Sequence, residues 1–146
     1  MNSTIVTCGK CGARNRIPAD KQHLKPTCGR CHEKLAMREA AAVVALDDAT
    51  FAGFIARASL PVLVEFFSPA CPHCRTLAPV IARLARHHYG RLIVAALDTS
   101  RSPQSAMRFR ITGVPTLIFF KNGLEKERIP GAPTEAALEQ RIRAFV

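Results

Sequence analysis

The chain has 146 residues, 48% hydrophobic and 22% charged, with a net charge of +10 and a pI near 10.0. That is about one domain's worth of chain with enough apolar content for a core, which excludes wholesale disorder. The positive charge is scattered, with no run of five like residues. It therefore points to solubility and partner steering, with dedicated nucleic-acid binding the weaker reading.

The first eight residues, Met1 to Cys8, lack a basic start followed by an apolar stretch, so no secretory signal is expected there. No apolar run approaches the ~20 residues of a membrane span. The expectation is a soluble cytoplasmic protein with no membrane partner. All six cysteines fall in Cys-x-x-Cys pairs, at 8/11, 28/31 and 71/74. Without a secretory signal, such pairs point to metal or redox chemistry over a disulfide framework.

Residues 1–38 form the first predicted module. Ile5, Val6, Ile17, Leu24 and Leu35 are too few to build a core alone, so this segment needs a staple. Cys8-Gly9-Lys10-Cys11 and Cys28-Gly29-Arg30-Cys31 stand sixteen residues apart, the spacing of a four-cysteine zinc site. Gly9 and Gly29 allow tight knuckles, and Lys10 and Arg30 offset the charge of four thiolates. Structural zinc would supply the missing folding energy. Two disulfides or free redox pairs are the alternatives, which a reducing compartment disfavours. His32 would then be a surface residue. Met37 to Ala42 is expected to be a linker or a short helical turn, with the boundary near residue 38.

The second predicted module spans 39–146 and alternates strand and helix signals. Val43–Leu46 is a short apolar run. Asp47 and Asp48 are placed to cap a helix carrying Phe51, Phe54 and Ile55. Pro61–Phe67 is apolar on both faces, as in a central strand. A long helix follows, with Leu77, Val80, Ile81, Leu84 and His88 at helical spacing and Pro79 expected to kink it. Leu92–Leu97 predicts a buried strand and Pro103–Phe109 a short helix. Thr116–Phe120 and Leu124–Ile129 flank the hairpin signal Lys121-Asn122-Gly123. A helix over Pro133–Val146 closes the chain. The order β-α-β-α-β-α-β-β-α predicts an α/β sandwich with a mixed central sheet.

Cys71 comes only three residues after the predicted central strand, and Pro72 occupies a first-helical-residue position, where proline is favoured. Cys71 is thus expected at a helix N-terminus, where free N–H groups and the helix dipole stabilise a thiolate. Cys74 lies on the same helix face, placed to resolve a mixed disulfide. A redox-active disulfide, Cys71–Cys74, follows as the predicted centre, against core cysteines or half a metal site.

Val64 to Arg75, with Ala78-Pro79 behind it, resembles the active-site region of the thioredoxin family. Gly113-Val114-Pro115-Thr116 is similar to that family's cis-proline loop, and Phe120 to Gly123 and Gly131 match two further positions. The resemblance covers residues 40–146 and implies the thioredoxin-like three-layer sandwich with no bound organic cofactor. It implies a cis peptide before Pro115, a Val114 backbone that pairs with an extended substrate, and Ala70, Pro72 and Gly131 as parts of the substrate surface. It also implies that Glu65, buried in an apolar strand, carries a proton for Cys74. The family has Asp there, and the lysine that partners it is replaced by Ala96. The chain contains no Trp, and Ala70 stands where the family has one. Pro72-His73 resembles the dipeptide of more oxidising disulfide oxidases, in which a histidine tunes the thiolate of the first cysteine.

The paired N-terminal cysteines and Asn15-Arg16-Ile17-Pro18 extend the resemblance to the thioredoxin 2 branch, a zinc ribbon ahead of a thioredoxin domain. That implies a protein-disulfide reductase recharged by a thioredoxin reductase. A more oxidising oxidase or isomerase, and a zinc-ribbon binding module on a redox scaffold, stay open as alternatives.

Overall fold

The computed structural model describes residues 2–146. Two strands open the chain, β1 (Ser3–Thr7) and β2 (Arg14–Pro18), paired antiparallel with Ile5 opposite Arg16. Cys8 and Cys11 sit in the turn between them. Cys28 and Cys31 sit in a second turn closed by an isolated bridge from Thr27 to Lys34. Val6, Cys8, Ile17, Cys28, Leu35 and Met37 form a separate small core. Ile5 and Leu24 stay exposed. Few apolar side chains are buried in this unit, as its composition requires.

The larger sheet has five strands in the order β3-β5-β4-β6-β7. These are β3 (Val44–Leu46), β4 (Val62–Phe67), β5 (Ile93–Asp98), β6 (Thr116–Lys121) and β7 (Leu124–Pro130). β3, β5 and β4 run parallel, and β6 and β7 continue antiparallel. The helices are α1 (Phe51–Arg57), α2 (Pro72–His87), α3 (Pro103–Arg108) and α4 (Glu135–Phe145). This is the mixed α/β sandwich expected from the sequence.

Each sheet face has its own core. Phe51, Phe54, Phe66, Phe120 and Ile118 pack on the α1 face, joined by Phe109. Leu63, Leu77, Ile81, Leu84, Leu117, Phe119, Leu138 and Ile142 fill the face under α2 and α4. Alternate residues of β4 and β6 serve opposite cores, the period-2 pattern of a strand buried on both sides. The β6–β7 turn has Asn122 at φ 54° and Gly123 at φ 80°, the doubly positive pair that a tight right-twisted hairpin requires.

One expectation needs correction, the pairing of Asp47 with Asp48 as caps of α1. Asp47 alone serves α1, its carboxylate accepting from the N–H groups of Ala49 and Thr50 at 3.0 and 2.9 Å. Asp48 turns away and accepts from the N–H groups of Gln104 and Ser105 at 3.1 and 2.7 Å, capping α3 from across the fold. Arg38–Ala40 form the short helical turn expected between the modules, and Met37 ahead of it is 3% exposed and belongs to the small N-terminal core. Pro79 lies inside α2, as the sequence places it.

The N-terminal unit is fastened to the sheet by polar contacts. The Asn2 side chain donates to the Val43 carbonyl and accepts from the Ala45 N–H. The Gln22 amide spans Ala42 at both its N–H and its carbonyl, and Tyr89 donates its hydroxyl to the Gln22 carbonyl at 2.5 Å. Ala19 is fully buried against the sheet's core.

Candidate redox centre and metal centre

Strand β4 ends at Phe67, and the next turn delivers Cys71 as the N-cap of α2. The turn is tied by Cys71 N–H to the Ser68 carbonyl at 3.1 Å. Cys71 Sγ accepts from the Cys74 N–H at 3.3 Å and its thiol faces the Val114 carbonyl at 3.6 Å. Its pKa is lowered. The Cys74 thiol hydrogen bond contributes most, and the N–H groups of Cys74 and His73 and the charge of Arg75 add to it against partial burial. These are the donors a helix N-terminus supplies to an anion.

Cys74 is 4% exposed. Burial, then the neighbouring Cys71, push its pKa up to about 11, with ionised Glu65 adding to the rise. One thiol is therefore poised to ionise and the other is held protonated, a division set by one turn of helix. The His73 imidazole is exposed and makes no hydrogen bond; its backbone N–H is the part that reaches Cys71.

Glu65 lies mid-strand, paired with Ala96 and Leu117. It is 4% exposed, and its Oε2 is buried without a hydrogen-bond partner. Burial raises its pKa to about 7, because desolvation disfavours the carboxylate.

The Val114–Pro115 peptide is cis. Pro115 is buried, while Val114 is half-buried and Gly113 exposed. Thr116 Oγ1 donates to the Gly113 carbonyl at 2.6 Å, closing the loop. The Gly131 N–H donates to the Pro115 carbonyl at 2.9 Å. Gly131 has φ +82°, a conformation that only glycine adopts without strain. Ala70 and Pro72 are exposed beside Cys71. The structure thus brings Cys71, Cys74 and Val114 together, with Glu65 behind Cys74 and Gly131 behind Pro115.

The second centre is the four N-terminal cysteines. One Sγ from each of Cys8, Cys11, Cys28 and Cys31 lies within 4.8 Å of the other three. Cys8 to Cys31 and Cys11 to Cys28 are both 3.6 Å apart. Tetrahedral Zn–S bonds of about 2.3 Å place sulfurs roughly 3.8 Å apart, so the donor set fits a tetrahedral metal. The N–H groups of Lys10 and Arg30 point at Cys8 and Cys28 sulfurs, each at 3.4 Å. Backbone N–H groups of Cys31 and Arg30 hold Cys28 down to about 6, and those of Cys11 and Lys10 lower Cys8. His32 is exposed and outside the cluster.

Sequence reasoning missed three contributors. Arg75 acts on Cys71 by charge, and only its place one residue beyond Cys74 signalled it. The Ser68 N–H favours the Cys74 thiolate, with no sequence signal. Asn15 donates to Cys28 Sγ at 3.6 Å and accepts from the Gly29 N–H at 2.9 Å, so it braces one knuckle from β2.

Residues 42–144 match the family described as Thioredoxin, and residues 7–33 match that described as Thioredoxin 2, N-terminal. Thioredoxin C-3 of Corynebacterium nephridii is 33% identical over 136 residues, covering 93% of this chain and 91% of that protein. Thioredoxin of Mycobacterium tuberculosis is 39% identical over 108 residues, covering 74% and 93%. The chloroplastic M-type thioredoxin of Chlamydomonas reinhardtii is 31% identical over 133 residues, covering 91% and 95%. A helix-capping cysteine pair, a cis-proline loop opposite it and these matches lead to one conclusion: the chain belongs to the thioredoxin family of protein-disulfide oxidoreductases and carries the thioredoxin 2 zinc-ribbon segment ahead of its redox domain.

Proposed function

We propose that this thioredoxin-type disulfide reductase works through Cys71 as nucleophile and Cys74 as resolving thiol. The observation that carries the assignment is the asymmetry of the pair: Cys71 is lowered and partly exposed at the N-cap, and Cys74 is buried and raised to about 11. The Cys71 thiolate attacks one sulfur of a substrate disulfide, forming a mixed disulfide and releasing the other substrate sulfur as a thiol. Cys74 then loses its proton and attacks Cys71 Sγ. The Cys71–Cys74 disulfide forms and the second substrate thiol leaves, so two electrons and two protons pass to the substrate.

Glu65 is the proton carrier for Cys74 in this reading, since a carboxyl near pKa 7 exchanges protons readily at neutral pH. The Val114 backbone docks an extended substrate segment, with Pro115, Ala70, Pro72 and Gly131 shaping the surface. His73 tunes the thiolate through its backbone N–H, which reaches Cys71. Cys8, Cys11, Cys28 and Cys31 hold structural zinc, which would tie the two knuckles together and offset the thiolate charge. The domain boundary falls near residue 38, and a thioredoxin reductase regenerates the dithiol. We place the protein in the cytoplasm, where a four-thiolate metal site stays reduced. Among the described residues, no helix is long and apolar enough to cross a membrane.

The test is reduction of a protein disulfide by catalytic amounts of this chain, with NADPH and a thioredoxin reductase, alongside the Cys71/Cys74 potential against glutathione. Turnover with a potential near that of thioredoxin, about −270 mV, is expected. No turnover with a potential well above the cytosolic poise would replace this reading with that of a thiol oxidase, which Pro72-His73 favours.

A further inference from the structure

A small cavity lies beside Cys74 on the α2 face of the sheet. Its volume is about 190 Å³, and Val43, Phe67, Ile81 and Ala96 give it apolar walls. Glu65 also lines it. The residue is 4% exposed, and its buried Oε2 accepts from no donor. A buried acceptor without a partner costs free energy that a matched donor would recover.

The cavity adjoins a larger cleft of about 520 Å³, with which it shares Val43, Phe67 and Ala96. The cleft is lined by Asp47, Asp98 and Arg101, two carboxylates against one guanidinium. The residues shared by the two hollows are apolar, so the charged groups of the cleft stand beside the cavity's rim and Glu65 is the charged group inside it. The small size excludes a cofactor, and a lining with one carboxyl and the Cys74 thiol as its polar side chains excludes a ligand with several charged ends.

We propose that this cavity is a binding site for a short primary alkylammonium, with its head on the Glu65 carboxylate and its chain against Val43, Phe67, Ile81 and Ala96. The ammonium donates to the orphaned oxygen, and the chain buries its methylenes. Binding holds Glu65 ionised beside Cys74 and so bears on the resolving thiol. The site rests on the geometry of the cavity and not on the reading of Glu65 as proton carrier, so either can fail alone. The same chemistry is carried by a free aliphatic amine and by the lysine side chain of a bound protein.

The experiment follows the Glu65 side-chain carboxyl by carbon NMR in the reduced full chain, with the signal assigned by Glu65→Gln. n-Butylammonium chloride is the probe, N-acetyl-lysine methylamide carries the lysine chain, and sodium chloride at matched ionic strength is the control. A saturable shift with butylammonium is expected, with the Glu65 apparent pKa falling by about one unit or more, as for a carboxyl that gains a close opposite charge. Ala96→Leu fills the cavity without adding charge and should weaken the response at least tenfold. Saturation by the lysine amide as well assigns the site to protein lysines and free amines alike; saturation by butylammonium alone assigns it to free amines. A Glu65 response that is linear in both probes, or matched by sodium chloride, overturns the proposal. So does a butylammonium response unchanged in a folded Ala96→Leu protein.

Discussion

Glu65 should set the pH dependence of stability. Its pKa rises from an ordinary 4.5 to about 7 because it is buried in β4. The folded state therefore binds the Glu65 proton more tightly than the unfolded state does. Its contribution is fully present below about pH 4.5 and is lost as the pH rises through about 7. The rise corresponds to about 3 kcal/mol of stability at most. Glu65→Gln keeps the shape and removes the titration, although it places an amide where Oε2 has no partner. The variant's absolute stability is thus a poor readout, and the difference between the two pH profiles is the useful one. Urea unfolding of the reduced proteins from pH 4 to 8.5 gives both. The wild type should lose about 3 kcal/mol relative to Glu65→Gln across that window, with most of the change between pH 4.5 and 7. Parallel profiles would refute the reasoning, since they would mean that Glu65 titrates as it does in the unfolded chain.

Cys74→Ser should accumulate a mixed disulfide between Cys71 and a protein substrate, visible on a non-reducing gel, whereas Cys71→Ser should accumulate none. Gly131→Ala should lower stability by roughly 1 kcal/mol in thermal melts, because φ +82° strains any side chain. Cys28→Ser should abolish stoichiometric zinc binding, measured by a chromophoric chelator, while the far-UV signal of the five-stranded sheet persists. Thr134→Ala removes the side-chain cap that accepts from the Ala137 N–H at 3.1 Å, and should cost about 1 kcal/mol in urea unfolding.

Local chemistry made much of this protein legible in its sequence. Pro72 after Cys71 marks a helix start, because proline is favoured at the first helical position, where its missing N–H costs nothing. Strand β4 is apolar on both faces, which marks it as central, and it is the middle strand of the sheet. Asn122-Gly123 specifies a two-residue hairpin by backbone conformation alone. The four N-terminal cysteines announce a cluster, because the segment has no other means of folding.

Other features depend on residues distant in the chain. Asp48 stands next to α1, yet it caps α3, because the fold brings those helix starts together and an N-terminus takes the nearest carboxylate. Met37 reads as the start of a linker or helical turn in sequence and is core in space. Gln22 and Tyr89 join the N-terminal unit to the turn after α2 over 67 residues of chain, and no local pattern encodes such a contact. The cis peptide at Pro115 came from family resemblance, since an isolated Val-Pro pair favours trans. The cavity at Glu65 is the clearest case. The sequence shows an acid in an apolar strand, but which side it faces and whether a donor meets it depend on the register with Ala96 and the packing of α2. The residue's identity supplies the charge, and burial by neighbours far along the chain decides what that charge does.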